Sequence, residues 1–313
     1  MSGTTPQAAY VLHYTPWRDT SFIVDAFTLE RGRVGLVARG ARRAAPRTRA
    51  LYQPFRPLLV SWVGEGELRT LAGIEESGPP VALEGAALAC GYYANELVLR
   101  LLGKDEPQPE LFAHYALALA SLAAAGGGAD ATDGALEAAL RTFELQLLEA
   151  LGLLPDLARA APGGAPIEPG RRYRFHPVAA VAVPLDADAG VAEDAAALAI
   201  PKRAAPAAGA DAGVHPDGVT PDEGVDVSGR TLLDMAVLDF AAARTREEAK
   251  ALMRRLVALQ LGGRPLRSRS MFEALVPPPP ATGADGAERA AGGAEAEEGA
   301  EDGEEDGSEG ADG

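Results

Sequence analysis

The stretch RGRVGLVARGARRAAPRTR, from Arg31 to Arg49, decides the interpretation of the first part of the chain. Its first half alternates, so that Val34, Leu36 and Ala38 share one face of an extended strand while Arg33 lies on the other. Its second half is a loop rich in arginine. Seven arginines occur here without a single acid between them. We interpret the stretch as a strand that leads into a loop able to bind a polyanion.

The net charge of the whole chain is negative although this region is basic, because the charged residues are unevenly distributed along the sequence. The formal net charge is -16 and the isoelectric point is about 4.7. Residues 1–60 carry nine arginines against three acids, whereas residues 281–313 carry twelve acids against one arginine. Most of the acidity therefore belongs to a segment with few apolar residues to bury, and it does not exclude nucleic-acid binding elsewhere.

Five short strand-like segments, bounded by turn-prone residues and without helical spacing, precede any helical pattern. They predict strands at Ala8–His13, Ser21–Thr28, Arg33–Arg39, Pro54–Val63 and Glu67–Ile74. Thr15-Pro16 is among the pairs that indicate a turn. Five short strands with short connections favour a small closed barrel of the oligonucleotide-binding (OB) type, and an SH3-like barrel is the alternative.

Helical spacing of apolar residues begins at residue 83 and predicts helices at 83–101 and 110–124. A third helix is expected to begin after Asp133, as its cap, and to continue to Leu151. Residues 152–227 are rich in Pro, Ala, Gly and Asp, and only Arg171–Phe175 and Val178–Val183 resemble strands. Helical spacing resumes at Ser228, and Thr245 with Glu248 predicts a capping box.

These patterns predict an α+β protein in three parts. Residues 1–80 form a five-stranded OB-type β-barrel, and residues 81–276 form an all-helical domain with a low-order insertion at about 156–227, which is expected to be disordered from about Asp186 to Val225. Residues 277–313 form a disordered acidic tail.

Enzyme and metal motifs are missing from the sequence. There is no phosphate loop, the single cysteine is Cys90, and the four histidines are scattered. We therefore expect no catalytic residue, no metal and no cofactor. No apolar run has the length of a membrane span and no secretory signal is visible, which predicts a cytoplasmic protein without membrane contact.

The composition of the barrel favours nucleic acid as its ligand. Aromatic side chains that could stack on bases accompany the arginines: Tyr14, Trp17, Tyr52, Phe55 and Trp62. A second basic group surrounds the last helix. The candidate DNA contacts are Arg31, Arg33, Arg39, Arg42, Arg43, Arg47, Arg49, Arg254, Arg255, Arg264 and Arg267.

Arg141 follows Glu137 by four residues and precedes Glu144 by three, a spacing typical of ion pairs within a helix.

Several motifs in order resemble one family. The barrel contains AYVLHYTPWRDTSFIVDAFT, GRVGLVARGARR, QPFRPLLVSW and GELRTL, and the later part contains YYANELVLRLL, ALRTFELQLLEALG and LGGRPLRSR. Together they resemble the RecO family of bacterial recombination mediators. The stretch LLPDLARAAPGG stands where some members have a four-cysteine zinc site, and it contains no cysteine. Zinc is therefore not expected here.

The resemblance implies a function without chemical turnover. Members of the family bind single- and double-stranded DNA, anneal complementary strands, and dock on the acidic C-terminal tail of single-stranded DNA-binding protein. With RecR they help load the RecA recombinase, which implies an association with the nucleoid. The resemblance places Arg141, in ALRTFEL, at the position implicated in gripping the tail carboxylate. The alternatives are a protein-interaction adaptor with an OB-type barrel and a metal-dependent nuclease built on His13 and Asp25.

Overall fold

A computed structural model describes residues 4–126, 134–186, 224–262 and 264–268, all of which belong to one compact unit, Met1–Pro277. The first five strands are β1 (Gln7–Trp17), β2 (Ser21–Thr28), β3 (Gly32–Ala38), β4 (Leu58–Val63) and β5 (Leu68–Glu76). A single 3₁₀ turn (Ala41–Arg43) and the short helix α1 (Pro46–Ala50) lie between β3 and β4.

The five strands close into a barrel in the order β1-β2-β3-β5-β4, with β4 returning to β1. Strands β3 and β5 are parallel and the other pairs are antiparallel. This order matches the five-stranded OB barrel rather than an SH3-like one. Val34, Leu36 and Ala38 face the barrel interior at 1–2% exposure, as their alternation predicted.

The predicted turn at Thr15-Pro16 is wrong, because β1 continues through both residues to Trp17 and pairs them with Ile23 and Phe22. Strand β4 hydrogen-bonds to β1 only at its beginning, from Gln7 to Ala9. The later part of β1 therefore has a partner on one side only. Proline is tolerated at such an edge because no second strand requires its missing N–H.

The helical part contains α2 (Gly85–Leu101), α3 (Pro109–Gly126), α4 (Ala135–Ala150), α5 (Gly229–Ala236) and α6 (Ala243–Gln260). Helix α4 begins after Gly134, at φ 88°, and the predicted cap Asp133 lies outside the described residues. The fold class is thus confirmed: a closed five-stranded barrel is followed by helices.

The structure adds a small sheet to this helical part. Its strands are β6 (Arg159–Ala160), β7 (Ala165–Pro166), β8 (Arg172–His176), β9 (Val181–Pro184) and β10 (Val225–Ser228), in the order β10-β8-β9-β6-β7. The two strand-like segments of the sequence correspond to β8 and β9. Strands β6, β7 and β10 have two to four residues each, too few for alternation to be recognised. Residues 187–223 and the predicted acidic tail lie outside the described residues.

The predicted capping box of α6 is wrong. The cap residue is Ala242, and Thr245 lies inside the helix, where its hydroxyl donates to Asp234 Oδ2 at 2.9 Å. The Glu248 carboxylate instead accepts from Ser228 and Thr231 at the start of α5. The spacing of a capping box is present, but Thr245 and Glu248 hydrogen-bond instead to residues of α5 and to the residue before it.

The barrel and the helices share one hydrophobic core. Tyr10, Leu12 and Phe27 point outward from the barrel and pack among residues of α2, α3 and α4. At the centre of the contact, Asn95 Nδ2 donates to the Leu12 carbonyl at 2.9 Å. The first half of β1 is therefore buried on both faces, which explains the continuous apolar run from residue 8 to residue 12.

Candidate nucleic-acid interface

The tip of the β1–β2 hairpin and the loop after β3 form one surface. Arg42 Nη1 donates to the Arg18 carbonyl at 2.8 Å, and the Arg42 backbone N–H donates to the Thr20 carbonyl at 2.9 Å. The Arg18 guanidinium lies 5.8 Å from the ring centroid of Trp17. These contacts hold the arginine loop against the hairpin, and we call this combined surface the tip surface: Trp17, Arg18, Arg39, Arg42, Arg43, Arg47 and Arg49.

The arginines of the tip surface are exposed. Arg39 follows β3, Arg42 and Arg43 occupy the 3₁₀ turn, and Arg47 and Arg49 belong to α1. None of these five forms an ion pair with an acid in the described ranges. Their positive charge is consequently available to an external anion, and the binding of one stays a prediction.

Two arginines of the opening stretch lie elsewhere. Arg33 is partly buried: its Nε donates to the Leu102 carbonyl at 3.0 Å, and its Nη1 lies 3.6 Å from Asp25 Oδ1. It therefore joins the barrel to the helices. Arg31 is exposed, but it precedes β3 at the end of the strand opposite to Arg39.

Most of the barrel aromatics are not available to bases. Tyr52, Phe55 and Trp62 are buried at 2–5% exposure, and burial raises the pKa of Tyr52. Tyr14 is partly exposed and packs edge-on against Phe22. Trp17 alone among the five candidates is exposed, at 41%. Arg18, beside it, was missed by the sequence analysis, although its place in the hairpin motif TPWRDT could have indicated it.

The second basic group lies on α6 and on the segment that follows it. Arg264 and Arg267 belong to a segment fixed on α2, where Arg100 Nη1 donates to the Arg264 carbonyl and the Arg267 N–H donates to Glu96 at 3.0 Å. Arg254 is exposed and Arg255 partly buried on α6. Arg254 lies near enough to Glu144 of α4 to favour its ionised form.

Arg141 occupies a buried polar cluster. It is 7% exposed, and its Nη2 lies 2.8 Å from Glu144 Oε1, which also accepts from the Tyr93 hydroxyl at 2.6 Å. Burial raises the pKa of Glu144 despite the opposing effects of Arg141, Tyr93 and Arg254. The expected pairing with Glu137 is not formed, because Glu137 accepts from Lys250 of α6 at 2.5 Å.

The remaining chemistry of the described chain is sparse. Cys90 is buried, which raises its pKa to about 11, and no three described His, Cys, Asp or Glu side chains are grouped closely enough to hold a metal. None of the helices in the described ranges combines the length and apolar composition that a membrane crossing requires.

Comparisons with known proteins agree with the motifs. Residues 1–78 match the family model for the N-terminal part of recombination protein O, and residues 83–206 match that for its C-terminal part. The chain is 42% identical to the DNA repair protein RecO of Methylococcus capsulatus, over 84% of this chain and 91% of the relative. It is 41% identical to that of Alkalilimnicola ehrlichii, over 87% and 92%. The chain therefore belongs to the RecO family and has a role in DNA repair.

Proposed function

We propose that the chain is a non-enzymatic mediator that binds single- and double-stranded DNA through the tip surface and promotes annealing of complementary strands. The observation that carries this proposal is the cluster of exposed arginines beside Trp17, on a barrel of the OB type. OB barrels bind oligonucleotides through the β2–β3 face and nearby loops. The hairpin tip lies at the start of β2 and the arginine loop lies at the end of the antiparallel β3. Both therefore lie at the same edge of the β2–β3 face, where such contacts are expected.

The arginines would hold phosphate groups and would not read sequence. Guanidinium groups pair with phosphate oxygens through parallel hydrogen bonds, and each neutralised phosphate releases counterions. Binding should therefore weaken steeply as salt rises. Annealing follows if two strands, each relieved of part of its charge, meet on the same surface.

The partner part of the proposal rests on the family. We infer that the protein acts at the nucleoid with RecR and single-stranded DNA-binding protein, and assists RecA loading. The acidic C-terminal tail of single-stranded DNA-binding protein would dock at Arg141. The supporting feature is electrostatic: two cations, Arg141 and Arg254, act on the single buried carboxylate of Glu144. Arg254 is exposed and forms no ion pair with an acid in the described ranges, so its guanidinium can pair with a carboxylate that the partner supplies.

The DNA proposal is tested by the triple variant Arg39→Glu/Arg42→Glu/Arg43→Glu, with binding to single-stranded DNA measured across a salt series. If the three arginines each neutralise one phosphate, the slope of log affinity against log salt should fall by about 2. The triple Arg→Lys variant is a matched control that keeps the charge and should keep the slope. Annealing should decline in parallel with binding.

A second control separates local from general charge effects. Arg159→Glu changes an exposed arginine of β6 by the same two charge units as Arg43→Glu, but far along the chain from the loop. We expect Arg43→Glu to weaken binding more than Arg159→Glu. Identical salt curves for the native protein and the Glu triple variant, or absence of DNA binding by the native protein, would refute the proposal.

A further inference from the structure

Trp17 is exceptional among the large apolar side chains of the described residues. It is 41% exposed, whereas the other large side chains with comparable exposure are aliphatic. Tryptophan is normally buried for most of its surface, so an exposed indole beside a cluster of cations requires an explanation. Packing inside the barrel does not provide one, because Trp17 belongs to neither hydrophobic core cluster.

The backbone that carries Trp17 is anchored to the neighbouring loop. Trp17 is the last residue of β1 and pairs with Ser21, and Arg18 turns the chain with a positive φ of 50°. Two hydrogen bonds from Arg42 to the hairpin hold the tip against the arginine loop. The indole is thus presented from an anchored turn, and little conformational entropy would be lost when a ligand packs on it.

The surroundings of Trp17 select the chemistry of that ligand. The Arg18 guanidinium, 5.8 Å from the ring centroid, and the unpaired arginines of the loop supply positive charge next to an apolar aromatic surface. A nucleotide matches both features, since its phosphate is an anion and its base is a flat π-system. Single strands expose their bases to such stacking, whereas a duplex keeps its bases inside the helix.

We propose that Trp17 is a base-stacking platform and that it gives the barrel a preference for single-stranded over double-stranded DNA. This inference rests on the proposed function, and it adds a division of labour to it. The arginines bind the backbone of either form of DNA, and Trp17 binds an unpaired base. Discrimination between the two forms therefore depends on one side chain that contributes nothing to the salt dependence.

The experiment compares the native protein, Trp17→Ala and Trp17→Phe on a single-stranded oligonucleotide and on a duplex of the same length. Trp17→Ala should weaken single-strand binding by about 5- to 150-fold, the range for loss of one stacked base, and leave duplex binding unchanged. The slope of affinity against salt should not change. Trp17→Phe should retain most of the single-strand affinity.

Intrinsic fluorescence gives a direct readout of stacking. The chain has two tryptophans, and Trp62 is buried at 2% exposure, so a nearby base can quench only Trp17. The single-stranded oligonucleotide should quench the native protein. The same backbone with abasic sugars in place of nucleotides should bind without quenching. Trp17→Phe should bind the oligonucleotide and show no quenching, which excludes a signal that arises from Trp62.

The outcomes are distinguishable. Equal loss of single-strand and duplex affinity in Trp17→Ala, with a changed circular dichroism spectrum and no rescue by Phe, would mean that Trp17 only supports the hairpin and would overturn the inference. Unchanged single-strand affinity in Trp17→Ala would also overturn it while leaving the proposed function intact. Failure of the native protein to bind any DNA would overturn both.

Discussion

Replacement of Glu248 by glutamine should destabilise the helical part at neutral pH. One carboxylate oxygen accepts from the Ser228 N–H at 2.8 Å, the Ser228 hydroxyl at 2.8 Å and the Thr231 hydroxyl at 2.7 Å. The other accepts from Arg244 Nε at 3.0 Å. A glutamine side chain has one acceptor oxygen, and its amide N–H₂ would face a donor, so part of this network must be lost.

The magnitude follows from the pKa of Glu248. Partial burial alone would raise this pKa, but the hydrogen bonds from Ser228, Thr231 and Arg244 outweigh it and lower the pKa from 4.5 to about 2. The side chain is 14% exposed, so the shift is not strongly screened by solvent. A shift of this size corresponds to about 3 kcal/mol of stability supplied by the ionised form.

The sign of the pH dependence is fixed by the direction of the shift. Because the folded pKa lies below the unfolded one, the stabilisation is fully present above the unfolded pKa of 4.5 and is lost as pH falls toward 2. Native protein and Glu248→Gln should therefore differ by about 2 to 3 kcal/mol at neutral pH. The difference should shrink on acidification, because glutamine does not titrate.

Urea unfolding followed by circular dichroism, repeated across a pH series, measures both quantities. Glu247→Gln is the matched control: the adjacent residue is exposed, and the same change should shift stability by less than about 0.5 kcal/mol. The reasoning fails if Glu248→Gln is no less stable than Glu247→Gln, or if their difference is the same at neutral pH and at the acidic end of the series.

Two further predictions concern the other named arginines. Arg33→Ala should lower the free energy of unfolding by about 1 to 3 kcal/mol through loss of the bond to the Leu102 carbonyl, while the exposed Arg31→Ala should leave it unchanged; equal thermal stability of the two variants would contradict this. Arg254→Ala should weaken binding of a labelled acidic peptide with a free C-terminal carboxylate, measured by fluorescence anisotropy, and have little effect on an amidated peptide. Arg141→Ala should weaken it too but also destabilise the fold, because Glu144 would be left buried without its cation; unchanged peptide affinity in Arg254→Ala would count against docking at this cluster.

The barrel was predictable because its signals are local. Short apolar segments bounded by turn-prone residues indicated all five strands, and the burial of Val34, Leu36 and Ala38 follows directly from the alternation in β3. The helices were equally visible in apolar spacing. What alternation could not supply was the strand order, which depends on the parallel pairing of β3 with β5 across more than thirty residues of sequence.

The errors arise where distant residues compete with local partners. Thr245 and Glu248 satisfy the spacing of a capping box, yet both bond to α5 and the residue before it. Glu137 and Arg141 have the spacing of a helical ion pair. The Glu137 carboxylate nevertheless accepts from Lys250, which is 113 residues away in sequence. Such choices are decided by tertiary packing, which a single sequence does not contain.

The candidate site was predicted in composition but not in detail. The loop arginines were selected by charge alone; the structure shows that they are exposed, and their contact with DNA stays a prediction. The sequence could not distinguish Trp17 from Tyr52, Phe55 and Trp62, because all four are aromatics on or near barrel strands. The barrel core buries Tyr52 and Trp62, the core shared with the helices buries Phe55, and Trp17 is left exposed at the hairpin tip.

Because the barrel and the helices share one hydrophobic core, neither part should unfold alone on heating. Tyr10, Leu12 and Phe27 face outward from the barrel and are covered by the helices, at about 2 kcal/mol of burial for each side chain. A barrel fragment ending near residue 80 would expose all three to water. The tip surface should consequently unfold together with the helices in one cooperative transition, so that damage to a helix far from any arginine would abolish the proposed DNA binding as completely as damage to the barrel itself.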